Sequence, residues 1–312
     1  MVTGATGLIG SEVVGDLIPR FGARNVYGID RSARSGQTFL GENLILADVS
    51  KSEIVDLLDE ISPQLIVHAA AHPGGKSLQD PALNVEANAL GSMRIFEWSA
   101  KNSCRILYLS SSIVYGEAPP IPIKEEFVLR PATVYGVAKA ACEQWLRILT
   151  QGFGLDWVVL RPFSTYGAGH GPSLDQGIVN VMITQMATTR DLLIKGSLTR
   201  LRDLVYVSDA SDAICRTVET WPSQKVLNVC TGVATSIKEI IETIADVRGI
   251  DRSDFLCNEI PGTVGDPQYN VGDPTFASNT IGFRSRMLPR DGIAHLLSLK
   301  STFPPGAGNP PV

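Results

Sequence analysis

Along the first half of the chain, short apolar runs alternate with stretches whose apolar residues recur every three or four positions. This pattern predicts strands at 25–29, 44–47, 65–68, 106–109 and 157–160, with helices at 11–21, 52–61, 81–101 and 133–153. Such alternation builds a parallel sheet with crossover helices, and right-handed crossovers spread those helices over both faces. The expected fold is α/β, a doubly wound parallel sheet (Rossmann) over residues 1–164, with its ligand at the carboxyl ends of the strands. Beyond about Arg161 the pattern changes. Gly, Pro and Ser become frequent, and helices expected at 178–189, 209–219 and 236–246 alternate with short strands. This reads as a smaller C-terminal α/β lobe, 165–300, partly interleaved with the first domain. The Pro-rich stretch 301–312 is expected to be a flexible tail.

Composition narrows the class without naming it. The 312 residues are 44% hydrophobic and 19% charged, with a formal charge of −5 and a mean hydropathy of +0.10. A net acidic chain is a poor match for nucleic acid as a main partner. No apolar run approaches the roughly 20 residues that span a bilayer, and no signal peptide is visible, so a cytoplasmic location is the expectation. The five cysteines form no Cys-x-x-Cys pair and lie among apolar neighbours, as reduced core thiols do. His68 and His72 are four apart, but they follow a strand-like run, lack a nearby carboxylate and do not look helical. No metal is expected.

Candidate chemistry begins at the amino end. Gly4, Gly7 and Gly10 fit Gly-x-x-Gly-x-x-Gly between a short strand and a helix, with Leu8 and Ile9 inside the motif. Glycines there let the backbone turn tightly and approach a pyrophosphate at the helix N-terminus. Asp30 closes the next strand 20 residues beyond Gly10. A carboxylate at that place accepts both ribose hydroxyls and repels a 2′-phosphate, which favours NAD over NADP. Arg31 follows directly and is the one nearby group that would hold such a phosphate. Only Met1 and Val2 precede Thr3, so the first strand is expected to be very short, at a cost in stability at the centre of the sheet.

A second constellation lies downstream. Tyr135 and Lys139 are four residues apart, 24 residues after Ser111. On a helix these positions share a face, so a phenol and an ammonium converge. A free tyrosine, with a pKa of roughly 10, is a poor base at neutral pH. A nearby cation is expected to lower that value and make Tyr135 a base for an alcohol proton.

Taken together these residues resemble the extended short-chain dehydrogenase/reductase family, specifically its NAD-dependent nucleotide-sugar epimerase/dehydratase group. The likeness runs from Val2-Thr3-Gly4 to about Leu296. It is carried by Asp48-Val49, His68-Ala69-Ala70-Ala71, Asn88-Ala-Leu-Gly91, Ser110-Ser-Ser-Ile-Val-Tyr-Gly116, Tyr135-x-x-x-Lys139, Arg161-Pro-Phe and Arg202-Asp-Leu-Val-Tyr-Val-Ser-Asp209. The resemblance implies NAD as cofactor and a nucleotide sugar as substrate. It implies that Tyr135 is the acid/base, that Lys139 holds the nicotinamide ribose, and that Ser111 hydrogen-bonds the reacting hydroxyl. Asp48 and Val49 would flank adenine, and Ala69, Ala70 and Ala71 would line the cofactor's floor. Asn88 and Pro162 join the expected cofactor set. Ser111, Ser112, Ser164, Asn180, Arg202 and Asp266 form the expected substrate set.

Within that family the outcome turns on a position before Val-Tyr-Gly, where dehydratases and decarboxylases typically carry a glutamate. Here Ile113 stands there with Ser112 before it, and neither is a carboxylate base. Epimerisation at C4 of a UDP-hexose or UDP-uronate, through a transient 4-keto sugar, is therefore expected. Two departures qualify the substrate. Ser164 replaces a common asparagine, and Thr263 stands where a second diphosphate-binding arginine is frequent, leaving Lys195, Arg200 or Arg290 to compensate. Arg202 could alternatively pair structurally with Asp203 or Asp209. Helices 81–101 and 133–153 match a pair that makes a four-helix homodimer interface. Ile95, Phe96, Trp98, Trp145, Leu146 and Leu149 supply apolar surface for it, unless they face the intramolecular core. Competing readings are a threonine dehydrogenase-like enzyme, a nucleotide-sugar dehydratase or decarboxylase, and a non-catalytic dinucleotide sensor.

Overall fold

A parallel strand covered by helices on both faces buries every side chain, and the central strands of this chain are nearly all apolar. In the computed structural model, which describes residues 1–33, 41–169, 173–174 and 177–299, seven of them form one sheet. The strands are β1 (Val2–Thr3), β2 (Gly28–Asp30), β3 (Leu44–Leu46), β4 (Leu65–His68), β5 (Arg105–Leu109), β6 (Trp157–Pro162) and, far later in the chain, Lys225–Val229. Their order is Lys225–Val229, β6, β5, β4, β1, β2, β3, all parallel. The sequence of strands reverses between β1 and β4, and that reversal opens a crevice at their carboxyl ends.

Alternate side chains go to opposite faces. Val67, Leu107, Val158 and Leu160 pack with α1 (Leu8–Phe21). Ile66, Ile106, Tyr108 and Val159 pack against α2 (Ile54–Ile61) and the two helical stretches that follow. The first stretch, predicted as one helix over 81–101, is α3 (Pro81–Val85), a π-helical turn (Glu86–Gly91) and α4 (Ser92–Lys101). The wider turn brings Gly91 against the loop after β3, where a Cβ would lie 2.8 Å from the Val49 carbonyl oxygen. The second stretch is α5 (Val134–Phe153), whose start is fixed by Thr133, its hydroxyl accepting from the Gly136 N–H at 3.0 Å.

Other boundaries move for local reasons. The strand expected at 25–29 begins only at Gly28, because Ala23–Asn25 winds into a 3₁₀ turn. Helix α1 starts at Leu8, directly on the glycine turn. Ile95, Phe96, Trp98, Leu146 and Leu149 are buried in the core, with Trp145 packed against it. The five buried side chains face inward and supply no dimer surface, while Trp145 is half-buried. Instead, Val85, Leu90, Val137, Ile148 and Phe153 are the large apolar side chains that these helices expose.

The remaining chain gives β7 (Ser164–Tyr166), α6 (Ile178–Thr188), β8 (Asp191–Lys195), β9 (Leu201–Tyr206) and α7 (Val207–Thr220). Then come β10 (the Lys225–Val229 edge strand), β11 (Ala234–Ser236), α8 (Ile237–Arg248), β12 (Leu256–Ile260), β13 (Tyr269–Asn270), α9 (Thr275–Ile281) and α10 (Pro289–Ser298). β9 is the hub of the lobe, pairing with β7, β11 and β13, while β8 pairs with β12. The lobe is not separate in sequence. α7 packs with α1, and β10 completes the central sheet. The tail expectation for 301–312 lies outside the described residues.

Gly91→Ala should destabilise the protein by about 1–3 kcal/mol in urea denaturation, since the added methyl forces backbone apart in a packed interior. An unchanged midpoint would show that the π-turn is not held closed by this contact.

Candidate active site

The crevice between β1 and β4 is a cavity of about 510 Å³. Its first wall is the glycine turn. Gly4 has φ +68°, and a Cβ there would sit 2.8 Å from the Ala70 nitrogen, so glycine alone permits the turn to lie against Ala69 and Ala70. No side chain caps the N-terminus of α1; its first N–H groups are left for an anion. Asp30, at the end of β2, accepts from the Thr6 N–H at 2.9 Å and the Arg31 N–H at 2.7 Å. These two bonds fix the carboxylate at the rim while leaving acceptor sites for further donors. An uncapped helix start joined to a fixed acid fits a dinucleotide with a free 2′-hydroxyl.

Gly4, Gly7, Leu8, Ile9, Gly10, Asp30, Arg31, Asp48, Val49, Ala69, Ala70, Ala71, Tyr135, Lys139 and Pro162 all line this cavity. Asn88 does not. It is fully buried in the π-turn, accepting from the His72 N–H at 2.6 Å and donating to the His72 carbonyl at 3.0 Å. It therefore clamps the loop after β4, and Ala87 takes its expected place in the wall. Burial works to raise the Asp48 carboxyl, but hydrogen bonds from Ser50 and the field of Arg31 and Lys51 leave it below its ordinary value. The two histidines do different things. His68 is fully buried between Thr3 (2.7 Å) and Ser92 (2.9 Å), and burial holds it neutral with a pKa of about 3. His72 reaches the cavity wall. Among the described residues no cluster of three or more metal-binding side chains occurs.

Ser111, Tyr135 and Lys139 meet at the inner end of the cavity. Ser111 follows β5 in extended backbone. Lys139 is 2% exposed; its Nζ donates to the Leu109 carbonyl at 2.7 Å and lies 4.6 Å from the centre of the Tyr108 ring and 5.7 Å from that of Tyr135. Burial lowers Lys139 to about 8, against the pull of Cys142 and Glu143. Burial also raises Tyr135 to about 12, opposed by hydrogen bonding with Ser111. The expectation that Lys139 lowers the phenol is thus corrected: burial is the larger influence on Tyr135, and what opposes it is the Ser111 hydrogen bond. The phenol is protonated at neutral pH and can act first as a hydrogen-bond donor.

Tyr135 also lines a second cavity of about 660 Å³, between α6, β8 and the segment 263–266. A smaller space of about 210 Å³ adjoins it and holds Ser164, Arg200, Arg202, Asp266 and Asn270. Arg202 pairs with neither Asp203 nor Asp209. Asp203 is occupied by Thr231, Gly232 and Gly272, and Asp209 by Ser285, Arg286 and Met287. Arg202 meets Asp266 at 2.7 Å, and Arg200 grips the same carboxylate. Of the three compensating cations, Arg290 is far out on α10 beside Asp246, while Lys195 and Arg200 line the larger cavity. Ser112 is buried, and Ile113 faces the cavity instead. Asn180 is fully buried, with neither amide atom partnered, beside the cavity-lining Ile178 and Val179. Thr6, Gly74 and Thr165 also line the crevice; Thr6, between two motif glycines, is legible as a donor from the sequence, whereas the other two come into the wall only by folding.

Because Tyr135 stands near 12, the ultraviolet difference between native protein and Tyr135→Phe should show no tyrosinate from this residue up to about pH 10, the ordinary tyrosine range. A tyrosinate signal between about pH 7 and 8 would instead show a phenol activated by Lys139.

Known proteins share this architecture. The model of the NAD dependent epimerase/dehydratase family matches residues 1–230. A UDP-glucose 4-epimerase of Mycolicibacterium smegmatis is 30% identical over 305 residues, covering 94% of this chain and 96% of that one. The crystal structure of a Thermotoga maritima UDP-glucose 4-epimerase with UDP-glucose aligns with a TM-score of 0.87 at 26% identity, over 95% of this chain and 96% of the other. That of the Thermus thermophilus UDP-glucose 4-epimerase complex with NAD aligns with a TM-score of 0.85 at 26% identity, over 95% and 97%. With its glycine turn, its Rossmann sheet and this match over most of its length, the chain belongs to the NAD-dependent epimerase/dehydratase family.

Proposed function

We propose that the chain is an NAD-dependent nucleotide-sugar epimerase that inverts C4 of a UDP-hexose or UDP-uronate. The observation that carries this reading is the position of Tyr135, which lines both the dinucleotide crevice and the arginine-bearing cavity. A reacting hydroxyl at that junction meets the phenol and Ser111 together. NAD, when bound, supplies the hydride acceptor and donor, so no net oxidation results. The Tyr135 hydroxyl and the Ser111 hydroxyl hold the C4 oxygen. As the C4 hydroxyl proton moves to the Tyr135 oxygen, the phenol's own proton leaves to solvent through the open crevice, and both transfers reverse when the C4 oxygen is reprotonated. Lys139, held by Leu109, supplies fixed positive charge beneath them. Ile113, apolar and facing the sugar side, offers no carboxylate for dehydration or decarboxylation.

Arg200 and Arg202 share the single carboxylate of Asp266, leaving one buried positive charge in excess. Burial and the neighbouring Arg200 hold Arg202 below its ordinary pKa despite Asp266. A diphosphate brings the negative charge that such a pair requires, and planar guanidinium groups suit it. Arg200 thereby stands in for the arginine absent at Thr263. The exposed Val85, Leu90, Val137 and Ile148 support a homodimer through a four-helix bundle of the α3–α4 and α5 faces. Five free cysteines, four of them buried, fit a reducing cytoplasm, and among the described residues no helix is long and apolar enough to cross a membrane.

The purified protein should be incubated with NAD and UDP-, dTDP-, GDP- and CDP-sugars and followed by proton NMR. Inversion of the C4 proton signal without accumulating NADH is expected with a UDP-sugar. Deoxy-keto products, CO₂ or stoichiometric NADH would overturn the assignment. Tyr135→Phe should keep NAD binding and lose turnover by about 10²–10⁴-fold, the usual contribution of a general acid/base. Arg202→Ala should raise KM on the order of 10- to 100-fold, as loss of a charge-assisted hydrogen bond does; an unchanged KM would remove Arg202 from the substrate site.

A further inference from the structure

Of the Arg161-Pro-Phe motif, Pro162 lines the crevice but Arg161 has no part in the chemistry above. Arg161 is nonetheless among the most completely enclosed side chains in the protein, 1% exposed. Its guanidinium forks onto Glu143, also 1% exposed, with Nε to Oε1 at 3.0 Å and Nη2 to Oε2 at 2.5 Å. Its Nη1 donates to the Tyr115 hydroxyl at 2.7 Å and to the Glu125 carbonyl at 3.0 Å. The Ser110 hydroxyl donates to Glu143 Oε1 at 2.6 Å, and the Tyr115 hydroxyl donates to Asn228 Oδ1 at 2.7 Å. One polar network thus ties together the end of β5, the 3₁₀ turn Ser112–Tyr115, α5, β6 and β10.

Its members sit beside the reacting groups. Ser110 immediately precedes Ser111, Arg161 precedes the cavity-lining Pro162, and Glu143 lies one turn after Lys139 on the same helix face. A buried ion pair is a poor source of net stability, since apolar side chains of similar volume often serve as well. What a bidentate fork supplies is direction, because both N–H···O bonds must be satisfied at once. We propose that Glu143 is a positioning residue: through Arg161 and Ser110 it fixes Ser111 and Lys139 relative to Tyr135. This rests on the epimerase reading for its kinetic consequence, but the placement itself is testable without turnover.

Two variants separate positioning from support of the fold. The double variant Glu143→Leu/Arg161→Met removes both charges, so neither is left buried alone. It should unfold cooperatively within a few degrees of the native protein and bind NAD within about threefold, while kcat falls about 10- to 100-fold and KM stays within about threefold, as expected when reacting groups shift by under an ångström. Glu143→Gln keeps the shape and removes the charge. The groups facing Lys139 are His68 on β4, Tyr108 on β5, and Tyr135, Cys142 and Glu143 on α5. Glu143 is the only carboxylate among them, so its loss should move the alkaline limb of kcat to lower pH, a shift that a purely structural role does not produce. Hydrogen exchange over residues 109–113 and 136–140 should quicken in the double variant. Native kcat per folded molecule, an unmoved alkaline limb and unchanged protection would overturn the proposal. Wild-type protein inactive on every nucleotide sugar would sink the epimerase reading alone, leaving the exchange measurement to decide the positioning role.

Discussion

The structure depends on how β1 is held. Two residues, Val2 and Thr3, pair on one side with Gly28 and Ile29 and on the other with Val67 and His68. A strand this short is stable only at the centre of a sheet, hydrogen-bonded along both edges and covered on both faces. Its carboxyl end is also where the strand order reverses. The chain leaving β1 must therefore turn within the crevice, against the chain leaving β4. Gly4 makes that approach possible, and Thr3 secures it from beneath, its hydroxyl meeting His68 and the Ala70 N–H.

Desolvation governs the chemistry that this crevice can perform. Tyr135, Lys139 and His68 are each pushed toward the neutral form by burial, the phenol upward and the two bases downward. The lysine remains near enough to neutral pH to keep its charge because a carbonyl, a thiol and a carboxylate lie close by. The same enclosure makes the Glu143–Arg161 pair intelligible: charges removed from water must be paired with good geometry, and good geometry transmits position between elements.

The lobe follows a different logic. Its two arginines converge on one aspartate, so positive charge there exceeds the carboxylate that pairs with it. Cavities of this kind are shaped by a few polar groups on an apolar lining. Ile178, Val181, Met182 and Leu193 form that lining on one side and Arg200 and Arg202 the polar end.

Local pattern determined most of the sheet, because a period of two or of 3.6 is written directly in the order of residues, and the glycine turn and Asp30 are tied to it by short range. It also brought Tyr135 and Lys139 onto one helix face. Tertiary structure decided what depends on contacts distant in sequence. Asn88 left the expected cofactor wall because His72 needed both its backbone groups satisfied. Ile113 rather than Ser112 faced the cavity because a 3₁₀ turn sets which side chain points outward. Five of the six apolar residues expected at a dimer face, all but the half-buried Trp145, went to the core because they pack against the sheet. The direction of the Tyr135 shift could not be read from a four-residue spacing, since it reflects burial by the whole fold, opposed by the hydrogen bond with Ser111.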